Sequence, residues 1–260
     1  MARRQLKNNK NKKEWLFSMK SKDCYINTNP NRQDIEEILD WLKEEKIQNG
    51  VSFYCNKNVI EEKFESGYSI VFKYNEENIG LVIWNEYDDS IHVDIDIFVI
   101  HPNYRNQGFG RFYYNEVLNF FRSCGFKIIK LFCEPKTSEL FWKKMGLIKF
   151  PDCGCYQPEL TYYIILVDNA SMKHKRTTDM IELWDVEPYK AAEQKPKWIW
   201  YVEIKDGKLL NPIIHPCNCD WKLRWSRNGN VIREEKVKYF TSENYELYFS
   251  PFVYIDKLEE

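Results

Sequence analysis

The sequence predicts an α+β domain followed by a small all-β domain, and three observations predict it. Residues 23–168 alternate β-branched runs with amphipathic stretches at helical spacing. Residues 181–260 instead carry short alternating apolar runs punctuated by Asp206-Gly207 and Asn228-Gly229, dipeptides that favour two-residue hairpin turns. Between them, residues 169–180 are polar and basic and read as a linker. A chain of 260 residues with 43% hydrophobic and 30% charged side chains is long enough for one large or two modest domains.

Residues 1–22 come first, as a basic N-terminal segment. The opening thirteen hold six basic side chains and no acid. No apolar stretch follows, so a secretory signal is not expected, and the segment reads as a solvated tail and not a nucleic-acid arm. Asp23–Asn29 reads as a short strand. Asn31 and Asp34 then precede Ile35, Ile38, Leu39, Trp41, Leu42 and Ile47, one helix face with Gly50 as its stop. A shorter helix covers Val59–Glu65. Tyr68–Tyr74 and Gly80–Asn85 flank a polar turn and form a hairpin. A strand at Ile91–Ile100 leads through a glycine loop into a helix. A strand at Lys127–Cys133, a helix at Thr137–Met145 and a strand at Thr161–Val167 complete the first domain.

In the second domain Trp198, Trp200, Val202 and Ile204 share one strand face by alternation, as do Trp221, Leu223 and Trp225. Glu246–Phe249 and Phe252–Ile255 add extended segments. Its five tryptophans are read as sheet core.

Composition excludes several classes. No apolar run approaches ~18–20 residues, so no membrane span is expected. Eight cysteines without an export signal read as reduced thiols of a cytoplasmic protein. Cys153-Gly-Cys155 and Cys217-Asn-Cys219, with His215 nearby, could supply zinc thiolates. Their spacing is less diagnostic than paired C-x₂₋₄-C, and no metal is expected. Trp221-Lys-Leu-Arg-Trp-Ser-Arg is basic and aromatic, but its alternation fits an ordinary strand with a solvated face, so nucleic acid is not expected.

Pro102–Arg111 is the most informative stretch. It joins a β-branched strand to an amphipathic helix through Arg105-x-x-Gly108-x-Gly110. Amides at a helix start are unpaired and carry the positive end of the helix dipole, which suits a phosphate. Gly108 and Gly110 allow close backbone approach, and Arg105 and Arg111 can add charge. The spacing is neither a dinucleotide fingerprint nor a P-loop.

This spacing resembles the acyl-CoA pyrophosphate loop of the GNAT superfamily of N-acetyltransferases, where Arg or Gln-x-x-Gly-x-Gly or Ala follows a central strand. His101-Pro102-x-Tyr104 is similar to the family's approach to that loop. Ser138–Leu147, reading Ser-Glu-Leu-Phe-Trp-Lys-Lys-Met-Gly-Leu, is similar to its helix and turn ending in Gly-Phe. The resemblance covers residues 23–168. It implies a mixed, mostly antiparallel sheet flanked by helices, acetyl-CoA as co-substrate, and direct attack of an amine on the thioester. It places the pyrophosphate on Arg105, Asn106, Gln107, Gly108, Phe109, Gly110 and Arg111, with the pantetheine arm beside Val99 and Ile100. The first 170 residues are then expected to bind the coenzyme unaided.

A base must take the ammonium proton. By alternation, before any bulge near the loop, Ile91, Val93, Ile95, Ile97 and Val99 line one face of the strand, and His92, Asp94, Asp96 and Phe98 the other. In several family members a carboxylate on this strand is the base, and Asp94, eleven residues before Arg105, matches that place; Asp96 and His92 are alternatives. Two aspartates also suit a cationic acceptor. Trp142 stands where many members have an acidic tyrosine, and Pro135 replaces an asparagine. Tyr104, Tyr162 or Tyr163 could substitute, or the thiolate, at pKa ~8.5, could leave unassisted. The competing readings are a coenzyme-binding module without turnover and a β domain that recruits a macromolecule.

Overall fold

The computed structural model describes residues 23–87, 91–152, 159–170, 177–240 and 250–258. The basic tail, Cys153, Cys155, residues 171–176 of the linker and the Glu246 segment lie outside the described residues. The chain divides into two compact units, one of residues 1–86 and 93–125, the other of residues 87–92 and 126–260.

The first unit is an antiparallel meander, β1 (Cys24–Asn27), β2 (Ser69–Tyr74), β3 (Glu77–Glu86) and β4 (His92–Ile100), with each strand paired to the next. Helices α1 (Arg32–Asn49) and α2 (Lys57–Glu65) precede β2, and α3 (Phe109–Ser123) follows β4. Asn31 starts α1 through a capping box, its side chain accepting from the Asp34 amide while Asp34 accepts from the Asn31 amide. Asp34 also receives Lys73 Nζ at 2.6 Å and Asn78 Nδ2 at 3.1 Å. Burial alone would raise its pKa; the bonds from Lys73, the Asn31 amide and Asn78 prevail and hold it below the usual value.

The stripe Ile35, Ile38, Leu39, Trp41 and Leu42 packs with Ile60 of α2 against Val71, Leu81, Ile83, Ile97 and Val99. Ile47, expected on that stripe, is exposed, and Glu45 is buried there instead. Asn75 and Glu76 both adopt left-handed conformations, as a two-residue hairpin turn demands. At Gly80 an added Cβ would lie 2.5 Å from Val99 O and 2.7 Å from Phe72, so only glycine lets β3 approach β4 there.

The second unit holds β5 (Ile128–Phe132), α4 (Glu139–Lys144), β6 (Ile148–Lys149) and β7 (Thr161–Ile165), with β7 antiparallel to both β5 and β6. β8 (Asp179–Leu183), β9 (Trp198–Val202), β12 (Lys222–Arg227) and β13 (Asn230–Lys236) form one antiparallel sheet in the order β13-β12-β8-β9. β10 (Ile204–Lys205), β11 (Lys208–Pro216) and β14 (Phe252–Lys257) form another. The short helix α5 (Val237–Phe240) follows β13. Asp206-Gly207 and Asn228-Gly229 turn as the sequence indicates, all four at positive φ.

The core of this unit joins Ile128, Phe150 and Tyr163 to Ile181, Trp200, Trp225 and Phe252. A boundary at residue 168 therefore falls inside one continuous core, because the apolar faces of 126–168 and of 181–258 cover each other. No helix among the described residues is long and apolar enough to cross a membrane.

Candidate acetyl-transfer site

The glycine loop is held from several elements before it reaches its turn. His101 Nδ1 accepts from the Asn103 amide at 3.2 Å, and the Arg105 amide donates to Pro102 O at 3.2 Å. Tyr104 donates its hydroxyl to Glu77 on β3, and its ring edges Tyr74 of β2 at 5.9 Å. Trp41 of α1 edges the His101 ring at 5.1 Å. Burial, and next the charge of Arg105, keeps His101 below its ordinary pKa, so the imidazole acts as a neutral acceptor.

Asn106 and Gly108 then take left-handed conformations, with φ of 61° and 97°. Gly108 caps α3, and the first amide that bonds back into the helix is that of Phe112, to Gly108 O at 3.1 Å. The Gly110 and Arg111 amides precede it and have no intrahelical acceptor. Such a curled run of amides at a dipole's positive end is a concave anion receptor. Phe109 is fully buried against Tyr74 and Tyr104 and anchors the turn, while Gln107 donates its side-chain amide to Asn103 O at 2.6 Å. Arg111 is exposed.

Arg105 is placed otherwise than its charge suggests. Its guanidinium donates to both carboxylate oxygens of Glu45, at 2.6 and 3.0 Å, and to Ile100 O at 2.7 Å. Val99 and Ile100 lie on β4 opposite Leu81 and Gly80, their side chains buried.

Strict alternation along β4 fails at Asp96. Ile97 pairs with Ile83 and Ile95 with Trp84, so Asp96 is the extra residue of a bulge. Ile97 packs on the α1 side with Ile83. Ile95 lies opposite Trp84, whose ring meets Phe121 of α3 at 5.2 Å. The two isoleucines thus belong to different faces. The bulge keeps Asp96 near Asn85, the cross-strand partner of Asp94, and Asn85 donates to Asp96 Oδ2 at 2.6 Å. Loss of hydration raises the Asp96 pKa although part of the residue stays exposed; Lys63 of α2 opposes the rise, Asp94 adds to it, and Asn85 opposes it.

The other sequence candidates are engaged elsewhere. His92 is buried, stacked on Tyr87 at 4.5 Å and near Phe252 at 5.7 Å. Tyr104, bonded to Glu77, is pushed up to about 12. Burial, together with a bond to Glu139, raises Tyr162 to about 12 as well. Trp142 is buried and donates to Ser138 Oγ at 3.2 Å. His215 lies between Trp198 and Trp200, at 4.5 and 5.5 Å; Cys217 is buried beyond it on the chain. Glu45, Asn85 and Lys63 were not singled out from sequence. A charge on the apolar stripe of α1 was the available signal for Glu45.

Residues 35–147 match the sequence model of the acetyltransferase (GNAT) family. An uncharacterized N-acetyltransferase, ycf52, of Pyropia yezoensis is 27% identical over 138 residues, 50% of this chain and 74% of that protein. Among solved structures, Ard1 of Thermoplasma volcanium is matched over 56% of this chain and 99% of its own, with 16% identity and a TM-score of 0.45. The GNAT family N-acetyltransferase YhbS of Escherichia coli, solved with CoA, is matched over 56% and 82%, with 17% identity and a TM-score of 0.45. Residues 35–147 are thus similar in sequence to acetyltransferases of the GNAT family.

Proposed function

We propose that the protein transfers the acetyl group of acetyl-CoA to a primary amine of a small molecule or peptide. The observation that carries this reading is the cradle from Asn106 to Arg111, whose curled amides open at the start of α3. The coenzyme pyrophosphate would rest on these amides with Arg111 beside it, and the pantetheine arm would run along Val99 and Ile100.

In the reaction the neutral amine attacks the thioester carbonyl carbon, the C–N bond forms, the C–S bond breaks as the thiolate leaves, and the nitrogen, now positively charged, gives its surplus proton to solvent to become the amide. The ammonium proton must first be taken up. Asp94 and Asp96 are the carboxylates on the strand. Asp96 is the better suited, being partly exposed, oriented by Asn85 and raised toward the range where a carboxylate base is effective. Neither Tyr104 nor Tyr162 serves as the acid in this scheme, since each directs its proton to a carboxylate. A thiolate with an ordinary pKa of ~8.5 leaves without one.

The test is acetyl transfer from labelled acetyl-CoA to a panel of primary amines, with CoA titrated by calorimetry. Gly108→Asp places a carboxylate where the phosphates would sit and forces a side chain onto a φ of 97°. It should abolish CoA binding. Unchanged affinity in that variant would refute the loop assignment.

A further inference from the structure

We infer that Arg105 and Glu45 form a latch that fixes the shape of the glycine loop, making both of them positioning residues and neither a ligand of the coenzyme. The inference rests on the reading of this loop as the CoA site and goes beyond it, by assigning α1 a part in holding that site.

Glu45 is 7% exposed and sits one turn after Trp41, on the apolar stripe of α1. A carboxylate there needs a countercharge, and Arg105 supplies one through two parallel bonds of 2.6 and 3.0 Å. The third bond, Nε to Ile100 O at 2.7 Å, ties the same guanidinium to the end of β4. One planar group thus fixes three points: the C-terminal part of α1, the end of the strand, and the residue from which the loop departs.

Turning Arg105 toward a phosphate would break all three bonds. It would strand a buried carboxylate to gain one solvent-screened contact, and the exchange is unfavourable. Even in place, its charge is neutralised by Glu45. Compensation of the pyrophosphate therefore falls to the loop amides, the α3 dipole and Arg111. Trp41 reinforces the arrangement from the same face of α1, because its ring holds His101 at the other end of the Pro102–Tyr104 turn.

The experiment titrates CoA into the 260-residue chain and into Glu45→Gln, Arg105→Gln, the double variant and Arg111→Gln, at low and high salt. Glu45→Gln and Arg105→Gln should each weaken binding roughly tenfold or more. The double variant should be no weaker than either single, since both break one latch. The salt dependence should persist in Arg105→Gln and diminish in Arg111→Gln.

A Glu45→Gln protein that binds CoA as well as or better than wild type, while Arg105→Gln binds worse, would make Arg105 a phosphate ligand and overturn the latch. Additive losses in the double variant would do the same. Arg105→Lys guards against misfolding of the Glu45 variant. Lysine keeps the charge but cannot span both Glu45 oxygens and Ile100 O, so a several-fold loss is expected, and wild-type affinity would count against the latch. Failure of the wild type to bind CoA would instead refute the loop assignment itself.

Discussion

Cutting the chain after residue 170 leaves the glycine loop, its α1 latch and α3 intact in sequence, but removes β8 to β14. Length and family resemblance suggest that such a fragment should bind coenzyme alone; the packing points the other way. Phe150 and Tyr163 lie within the retained part, and both rings meet Phe252 of the deleted part, at 5.4 and 5.6 Å. They are 2% and 6% exposed in the whole chain. Burying a side chain of this class is worth ~1.5–3 kcal/mol, so losing cover from these two alone costs about 3–6 kcal/mol. Net stability of a folded chain is only ~5–15 kcal/mol. Ile128 and Ile91 share the same cluster and deepen the loss. The fragment 1–170 should therefore aggregate or show early proteolysis in its β5–β7 region, with no cooperative melt near that of the intact protein. Size-exclusion chromatography and scanning calorimetry decide it. A monodisperse fragment with the intact chain's melting temperature and CoA affinity would refute the argument from the shared core.

Asp96→Asn should lower turnover by about 10²–10⁴-fold with CoA affinity unchanged, and Asp94→Asn by less. The base must be ionised, so in the wild type kcat/KM should fall as pH drops through a value above the ordinary 3.8 of aspartate; wild-type rates in both variants across pH would remove β4 from the chemistry. Burial, and then the charge of Lys197, pulls His215 from 6.5 down to about 4, so the folded protein keeps it neutral while the unfolded chain protonates it. Stability from this residue is fully present above pH 6.5, is lost as pH falls, and levels off below about 4, a change of about 3 kcal/mol. Urea unfolding followed by tryptophan emission between pH 4 and 7 should show that slope, and an identical slope in His215→Phe would exclude His215 as its source.

What the sequence made legible was local. Asn31 and Asp34 announce α1 because a capping box needs only four consecutive residues. Asp206-Gly207 and Asn228-Gly229 announce their hairpins because the turn conformation is a property of those residues alone. The glycine loop was visible for the same reason. Arg105 and Glu45 are sixty residues apart, and nothing in the loop indicates that its first charge is consumed by a helix far back in the chain. Ile47 and Glu45 exchange expected places because burial is decided by what packs opposite a helix face and not by hydropathy along it. The domain boundary was drawn where composition changes, whereas the core is continuous across that change. The faces of β4 were misassigned beyond Asp96, since period-two reading has no means of detecting an inserted residue.

That inserted residue gives β4 two conflicting requirements. A strand one residue shorter at this point would pair without interruption along β3 and make a more regular sheet, and by the usual criteria of strand pairing it would be the better sequence. It would also lose Asp96, the residue that Asn85 bonds and that the charge of Lys63 acts on. The ladder gives up regularity at one position, and at that position Asp96 accepts a bond from Asn85. Attempts to stabilise this protein by idealising its sheet should therefore spare residues 94–97, where the irregularity holds Asp96 against Asn85.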